Sequence, residues 1–463
     1  MKKISEKKGR RRLWICFSTV SRPDRHIMPF CLITFLLILI LAVPIRADSI
    51  LSLPDAIKMA QEHSFTVQAS RFGLKAAEYD LRAARASRYP TLSLNATGFY
   101  IDKLQEIDAL PVAMEIGSHE NYQADFGLSF PIYTGGKLGG LIGAARAMVD
   151  IESYEYEAQK MAVAFQCRRA WFNFNMRQRL VNSAEASLER IRIIRENTIN
   201  LYQNGLADSV DILETELAYE NVREQLLQME NDLSNAATAL AVLTGIGSGT
   251  EIELPLDIPE PDNSIMDYRN LLIDTDSLSR PELKKISYQI QSAEQQVRMK
   301  QSGYFPSLTG FGRYSIGKPN RDIFDAEWND YFSAGIVLNW GFNLGRKDRH
   351  AVVSAKQRLL SVRTSYLAVE EKLLFEAETA LENILYAYKQ YELSKRKYII
   401  TGHKFRLARE KQKAGGLTVN RLLEMESEYS AAEQIYFVSQ LKYYINESYF
   451  LYAIGSDKIY GGF

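Results

Sequence analysis

The sequence contains the same pattern twice, in two copies separated by a nearly constant interval. A Tyr-Pro-Thr-Leu segment at 89–92 returns as Phe-Pro-Ser-Leu at 305–308. The segment Asn204-Gly205-Leu206 has its counterpart in Ala414-Gly415-Gly416, and an apolar pair with a glutamate follows each of them. Such a duplication predicts one architecture assembled from two equivalent halves.

The first 47 residues are predicted to be a secretory signal peptide. They carry ten lysines and arginines, and an apolar run from Phe30 to Val43 lies within them. That run is shorter than the stretch of about 20 residues that a membrane-spanning helix needs. Ile45-Arg46-Ala47 suits a cleavage site, so we expect the mature chain to begin near Asp48. An uncleaved membrane anchor is the alternative.

Four segments alternate between polar and apolar residues, which is the period of a β-strand. They lie at about 90–103, 120–134, 305–318 and 330–343. The apolar positions of the clearest strand share one face and are Tyr122, Ala124, Phe126, Leu128, Phe130 and Ile132. Strands of roughly 9–11 tilted residues cross a bilayer, and aromatic residues near their ends form interfacial girdles. An ordinary half-buried sheet of a soluble protein is the alternative.

The segments that follow the strands predict unusually long helices. No glycine or proline occurs from Ala144 to Asn204 or from Arg346 to Thr401. Each long helix is expected to turn at a glycine and return, which makes helical hairpins at about 136–247 and 345–455. A shorter helix precedes each pair of strands, and the first of these is expected from Leu53 to Arg88.

The duplication therefore divides the chain into five parts. The signal peptide at 1–47 precedes a first repeat at 48–247 and a second repeat at 281–455. An acidic segment with three prolines at 248–280 separates the repeats and is expected to be a linker or an irregular belt around the helices. Residues 456–463 form a C-terminal tail.

Four membrane strands cannot form a closed barrel by themselves. An open sheet in hydrocarbon exposes unpaired backbone groups along its edges, which costs several kcal/mol for each group. The smallest closed barrels have about eight strands, so the barrel must be shared among copies of the chain. Two copies would give eight strands with a filled interior, and three would give twelve strands with a lumen.

This arrangement resembles the TolC-type outer-membrane efflux family, also called outer membrane factors. The resemblance rests on the duplicated Phe-Pro and Tyr-Pro strand starts, the Gly135-Gly136-Lys137 junction and the Gly-Leu hairpin turns. It implies an α+β membrane protein whose outer-membrane β-barrel has four strands per chain and twelve in a trimer. A long α-helical barrel would continue this β-barrel through the periplasm.

The resemblance also implies a function and a set of partners. The protein would be a homotrimer in the lipid of the outer membrane of a Gram-negative-type bacterium. It would act as a passive export conduit in small-molecule efflux or type I protein secretion. An inner-membrane transporter would supply the energy through a periplasmic adaptor protein. A periplasmic coiled-coil structural protein without channel activity is the competing hypothesis, although such a scaffold has no need of strands of membrane length.

The hairpin turns are the candidate functional site that the resemblance implies. The residues expected at the periplasmic tip that docks the adaptor are Gly205, Leu206, Asp208, Gly415, Gly416 and Leu417. The residues expected to control the aperture are Asp211, Glu214, Arg421 and Glu424. Arg421 stands where the family often has an aspartate, so three Arg421 and three Glu424 side chains could pair and hold the tip closed. Alternatively, these charges are only solvated residues at helix ends.

Other kinds of function find no support in the sequence. No catalytic constellation is present, so we expect no enzyme activity and no cofactor, and the scattered histidines predict no metal site. Nucleic-acid binding would need a basic stripe, which the chain lacks after its N-terminal segment. The glycine-rich segment at 245–249 follows a helix rather than a strand, which favours a helix stop over a phosphate loop. Cys167 is expected to be a packing residue.

Overall fold

A computed structural model of the chain describes residues 51–107, 114–247, 252–255, 258–261, 280–321 and 327–461. The predicted signal peptide at 1–47, most of the predicted linker at 248–280 and the last two residues of the tail lie outside the described residues.

The first predicted helix is in fact two helices. Helix α1 (Leu53–His63) ends at Ser64, and α2 (Phe65–Ala86) begins directly after it. The Ser64 hydroxyl accepts a hydrogen bond from the backbone N–H of Val67 at 3.4 Å. Serine satisfies the free N–H groups of a helix start in this way, so it can interrupt a helix without a glycine or proline. The prediction of one continuous helix to Arg88 was wrong for this reason.

The long hairpins of the two repeats have equal dimensions. In the first repeat, α3 (Lys137–Gln203) has 67 residues and α4 (Ser209–Thr244) has 36. In the second repeat, α5 (Pro281–Gln301) precedes the strands, and α6 (Lys347–Lys413) and α7 (Val419–Ile454) again have 67 and 36 residues. A helix of 67 residues is about 100 Å long. Within the described ranges, no helix combines the length and the apolar character needed to cross a membrane.

The strands form one four-stranded antiparallel sheet with a small additional ribbon. After β1 (Thr91–Tyr100), the ribbon strands β2 (Gln105–Ile107) and β3 (Met114–Ile116) pair with each other, and β4 (Glu120–Tyr133) returns to β1. The second repeat adds β5 (Ser307–Lys318) and β6 (Asn329–Asn339), which gives the order β1-β4-β5-β6. The sheet is thus continuous across the repeats through the pairing of β4 with β5.

The register of the strands separates an apolar face from a polar face. Phe126 lies opposite Leu94 on one side and Tyr314 on the other, so these side chains share one face. The neighbouring positions on this face are also apolar and largely exposed, and they include Leu92, Phe332, Ile336 and Leu338. The opposite face carries serine, threonine, asparagine and glutamine. The alternation predicted from the sequence therefore extends over the whole sheet.

The main hydrophobic core lies around the middle of α3, where it meets α1, α7 and Leu51 just before α1. Trp171 and Phe172 on α3 and Phe450 on α7 are fully buried there. The described parts of the predicted belt are bound to this core: Leu254 and Ile258 are buried, and the Asn175 amide donates to the carbonyl of Pro255 at 2.8 Å. These short segments of the belt therefore pack against the long helices.

Candidate functional site at the two hairpin tips

The first tip joins α3 to α4 through a turn closed by backbone hydrogen bonds. Asn204 ends α3, and Gly205 adopts a left-handed conformation with φ of 71°. The N–H of Leu206 donates to the carbonyl of Leu201 at 2.9 Å, which is the geometry that a left-handed residue after a helix makes possible. Glycine suits this position because it has no side chain that clashes in the left-handed region.

The second tip repeats this turn residue for residue. Ala414 ends α6, and Gly415 has φ of 73°. The N–H of Gly416 donates to the carbonyl of Lys411 at 2.9 Å, as Leu206 does in the first tip. The two tips are therefore equivalent in backbone geometry, and Gly416 occupies the position that Leu206 occupies in the first tip.

Each returning helix begins with a side-chain cap. Asp208 caps α4 by accepting a hydrogen bond from the backbone N–H of Val210. In the second tip Thr418 takes this place and accepts from the N–H of Arg421 at 3.4 Å. Sequence reasoning did not single out Thr418, although its position relative to Gly415 matches that of Asp208 relative to Gly205.

Asp211 and Arg421 hold the same position in their tips but make different contacts. The Asp211 carboxylate accepts from the backbone N–H of Asp208 at 3.1 Å and thereby completes a capping box. An arginine accepts no hydrogen bond, so Arg421 cannot play this part. Its guanidinium instead forms an ion pair with Glu424, one turn further along the same helix. Asp211 thus helps to cap the start of α4, whereas the start of α7 is capped by the side chain of Thr418 without help from Arg421.

The two glutamates of the predicted aperture set also differ. Glu424 is about half exposed and is the partner of Arg421 within one chain. Glu214 is only partly exposed, and its Oε2 atom is buried without a hydrogen-bond partner among the described residues. A buried carboxylate oxygen without a donor is unfavourable. Glu214 therefore lies in a less hydrated setting than Glu424, although the two occupy equivalent positions in the repeat.

An apolar cluster supports the second tip and reaches across to the first hairpin. Phe405 and Ala408 of α6, Val419 and Leu422 of α7, and Ile194 of α3 are buried together. Leu417 of the turn packs against this cluster. In contrast, Leu206 of the first turn is 75% exposed. The structure thus partly buries Leu417, one of the two predicted tip leucines, and exposes the other, Leu206.

Above the tips, a row of polar side chains joins α3 to α7. This polar seam consists of Ser183, Ser187 and Arg190 on α3 and Glu426, Ser430 and Glu433 on α7. Arg190 Nε donates to Glu426 Oε1 at 2.9 Å, and its Nη2 lies 3.8 Å from Glu433 Oε2. Ser187 donates to Glu426 at 2.9 Å and Ser183 donates to Glu433 at 2.7 Å.

The polar seam holds charged groups with little access to water. The Glu426 side chain is 1% exposed, and that of Arg190 is 21% exposed. Burying a carboxylate is costly unless it is paired and hydrogen-bonded, and the serines supply the donors that one guanidinium cannot supply to two carboxylates. Sequence reasoning missed the seam. Its residues share helical spacing, since 183, 187 and 190 on α3 match the intervals of 426, 430 and 433 on α7.

Three further features of the sequence lie at least partly in the described ranges: scattered histidines, Cys167 and the glycine-rich segment at 245–249. No group of three or more histidine, cysteine, aspartate or glutamate side chains lies close enough there to hold a metal ion. Cys167 is buried in the main core, and burial raises the pKa of its thiol to about 12. Gly245 ends α4 in a left-handed conformation with φ of 74°, as a helix stop requires.

A comparison with protein families identifies both halves of the chain. The model of the outer membrane efflux protein family matches residues 56–246 and again residues 272–455. Among curated proteins, the outer membrane efflux protein BepC of Brucella suis biovar 1 is 21% identical over 196 residues. This match spans 42% of the chain and 41% of BepC, which is less than half of the length of that relative.

Solved structures share the fold over nearly the whole chain. CusC superposes with a TM-score of 0.73 at 16% identity, covering 88% of this chain and 92% of CusC. The outer membrane protein VceC of Vibrio cholerae also has a TM-score of 0.73, at 18% identity, covering 87% of this chain and 96% of VceC. The predicted α+β fold is confirmed by these likenesses, and the predicted outer-membrane location agrees with the family. The chain belongs to the outer membrane efflux protein family.

Proposed function

We propose that the protein is the outer-membrane channel of a tripartite export system. Three copies would close a twelve-stranded barrel in the outer membrane and a helical barrel beneath it. An inner-membrane transporter would drive export, and a periplasmic adaptor would connect it to the tips. The channel itself would carry out no chemical step, in keeping with a family of transport proteins.

One observation carries this proposal: the sheet has an exposed apolar face and two open edges. In the described chain β1 pairs with β4 alone and β6 pairs with β5 alone. Leu92 is 82% exposed on the apolar face, and Phe332 is 70% exposed. A face of this kind is stable against lipid, but open edges are not, because hydrocarbon offers their backbone groups no partner. Pairing of β6 with β1 of another copy removes both edges.

The long helices also expose apolar side chains that a second copy of the chain would cover. Helix α4 packs mainly against α3, and α6 packs mainly against α7. Each leaves large apolar side chains exposed along its length, including Leu213, Leu217 and Leu227 on α4 and Leu367, Leu393 and Ile400 on α6. Contact between α4 of one copy and α6 of the next would bury both rows, as apolar stripes of helices require. The same neighbour would thus close the sheet and the helical part.

The tips are the proposed docking and gating site. We assign adaptor docking to the turns at Gly205, Leu206 and Asp208 and at Gly415, Gly416 and Leu417. An exposed leucine beside a rigid turn, as at Leu206, is the kind of contact that a helical partner can cover. Asp211, Glu214, Arg421 and Glu424 would border the aperture in the trimer. The ion pair within one chain between Arg421 and Glu424 supports a role in fixing the tip.

The test measures assembly and conductance together. The protein is purified from outer membranes in mild detergent, examined for heat-modifiable trimers, and inserted into planar lipid bilayers. We expect a trimer that conducts ions. A soluble periplasmic monomer without conductance would overturn the proposal and favour the competing hypothesis, a coiled-coil structural protein of the periplasm.

A further inference from the structure

The polar face of the sheet carries only two charged residues among the residues of its four long strands. These are Asp125 on β4 and Arg313 on β5. The other polar side chains of this face are neutral, and they include Ser93, Asn95, Thr97, Gln123, Ser129, Thr309, Ser315 and Ser333. In a barrel whose apolar face meets lipid, this face borders the lumen.

The two charges lie in adjacent rows across the middle of the sheet. Asp125 is opposite Asn95 on one side and Ser315 on the other. Arg313 is opposite Gly127 and Ser333. Asp125 and Arg313 are therefore diagonal neighbours on adjacent strands, a relation that separates Cα atoms by about 7–8 Å and that long side chains can bridge.

The side chains of Asp125 and Arg313 differ in their contacts with neighbouring residues. Gln123 Nε2 donates to both carboxylate oxygens of Asp125, at 3.1 and 3.2 Å, and also lies 3.3 Å from the hydroxyl of Ser315. The backbone at Ser315 is tied to the Asn320 side chain, and Ser315 is fully buried. Arg313 is exposed, and Gly127 beside it has no side chain to restrict it. The Asp125 carboxylate is thus held by a neighbouring side chain, whereas Arg313 is exposed.

We propose that Asp125 and Arg313 set the ion selectivity of the barrel lumen, a role that rests on the proposed trimeric channel. Three copies would place three carboxylates and three exposed guanidiniums in one belt around the lumen wall. The opposite charges nearly cancel in the native protein. Removal of either one leaves a belt of a single sign, which concentrates its counter-ions in the lumen.

Ionic strength decides where this effect is measurable. The screening length is about 10 Å at 0.1 M salt and about 30 Å at 0.01 M. A charged belt on the wall of a wide barrel therefore acts on the whole lumen only in dilute salt. The same substitutions are expected to have little effect on selectivity near 1 M salt, where the screening length falls to about 3 Å.

The experiment measures the reversal potential of single trimers in planar bilayers under a gradient of dilute KCl. Asp125→Asn is expected to lower the permeability ratio of K⁺ to Cl⁻ by about twofold to threefold, and Arg313→Gln to raise it by a similar factor. The double variant is expected to return to the native ratio. Asn95→Ala, an uncharged change in the row of Asp125, is expected to leave the ratio unchanged.

The outcomes separate this inference from the proposed function. Conductance with opposite shifts in the two single variants supports the charged belt. Conductance with unchanged or equal shifts overturns the belt and leaves the channel intact. A native protein that forms no conducting trimer overturns the proposed function, and the belt with it. Heat-modifiable mobility identifies variants that assemble, and Asp125→Glu, which keeps the charge, is expected to retain the native ratio.

Discussion

Arg190 on α3 and the buried Glu426 on α7 form a hydrogen-bonded ion pair of 2.9 Å between the two repeats. Because Arg190 belongs to the first repeat and Glu426 to the second, this ion pair links the two repeats. Two serines complete the coordination of Glu426, and Glu433 lies on the other side of the guanidinium. The polar seam is therefore a joint between the first and second hairpins above the tips.

Loss of the charge of Glu426 is expected to weaken this joint. Glu426→Gln removes the carboxylate at 2.9 Å from Arg190 and leaves it with the more distant Glu433 at 3.8 Å, in a site with little water. We therefore expect the free energy of unfolding to fall by about 2–3 kcal/mol. Thermal unfolding of the purified trimer measures the change. Glu428→Gln is the matched control, because Glu428 lies on the same helix in an exposed pair with Lys404 and should cost less than about 1 kcal/mol. Equal losses in the two variants would contradict a special role for the seam.

The glycines of the second tip are expected to differ in their tolerance of substitution. Gly415 has φ of 73°, so Gly415→Ala should cost about 1 kcal/mol, because a side chain is disfavoured in the left-handed region. Gly416→Ala should be nearly neutral, because Leu206 occupies the same position in the first tip. Limited proteolysis at the tip and thermal unfolding measure both effects. Greater damage from Gly416→Ala would refute the equivalence of the turns.

The cap of α4 is expected to depend on the carboxylate of Asp208. Asp208→Ala removes the acceptor for the N–H of Val210 and should cost about 1 kcal/mol, whereas Asp208→Asn should retain most of the cap. Hydrogen exchange of the amides in the first turn of α4 reports the change locally. Unaltered exchange in Asp208→Ala would mean that the turn and Asp211 suffice to hold the helix start.

The ion pair of Arg421 and Glu424 is expected to affect gating more than stability. Both side chains are about half exposed, so Arg421→Ala should change the free energy of unfolding by less than about 1 kcal/mol. If these charges hold the proposed aperture closed, the same variant should raise single-channel conductance or open time. The exchange Arg421→Glu with Glu424→Arg should restore the native behaviour. Unchanged conductance and gating in Arg421→Ala would reject the proposed lock.

Cys167 is expected to be unreactive in the folded protein. Its thiol is buried with a pKa of about 12, and no other cysteine follows Asp48, so the mature protein should resist thiol reagents at pH 8 until it is denatured. The raised pKa means that the unfolded chain releases this proton first. The thiol therefore has no effect on stability below about pH 9, and stability falls as pH rises from about 9 to 12. Rapid labelling of the native mature protein would contradict this burial.

The sequence by itself determined the local elements of this protein. Alternation located the four strands to within a few residues, and the absence of glycine and proline located both long hairpins. The tips followed from glycines that the backbone needs at one left-handed position. These features depend on neighbours in the chain, which is why they repeat with the duplicated sequence. Where a local cue was weak, as at Ser64, the prediction was wrong.

Only the tertiary structure decided which distant residues meet. The pairing of β4 with β5 joins the repeats into one sheet, and it also places Asp125 beside Arg313. The packing of α3 on α7 likewise brings Arg190 to Glu426. Helical spacing predicts which face of its own helix a residue occupies. It does not predict which other helix packs against that face. Contacts between the repeats depend on the register of paired strands and on how whole helices pack. The duplicated sequence pattern predicts neither of these.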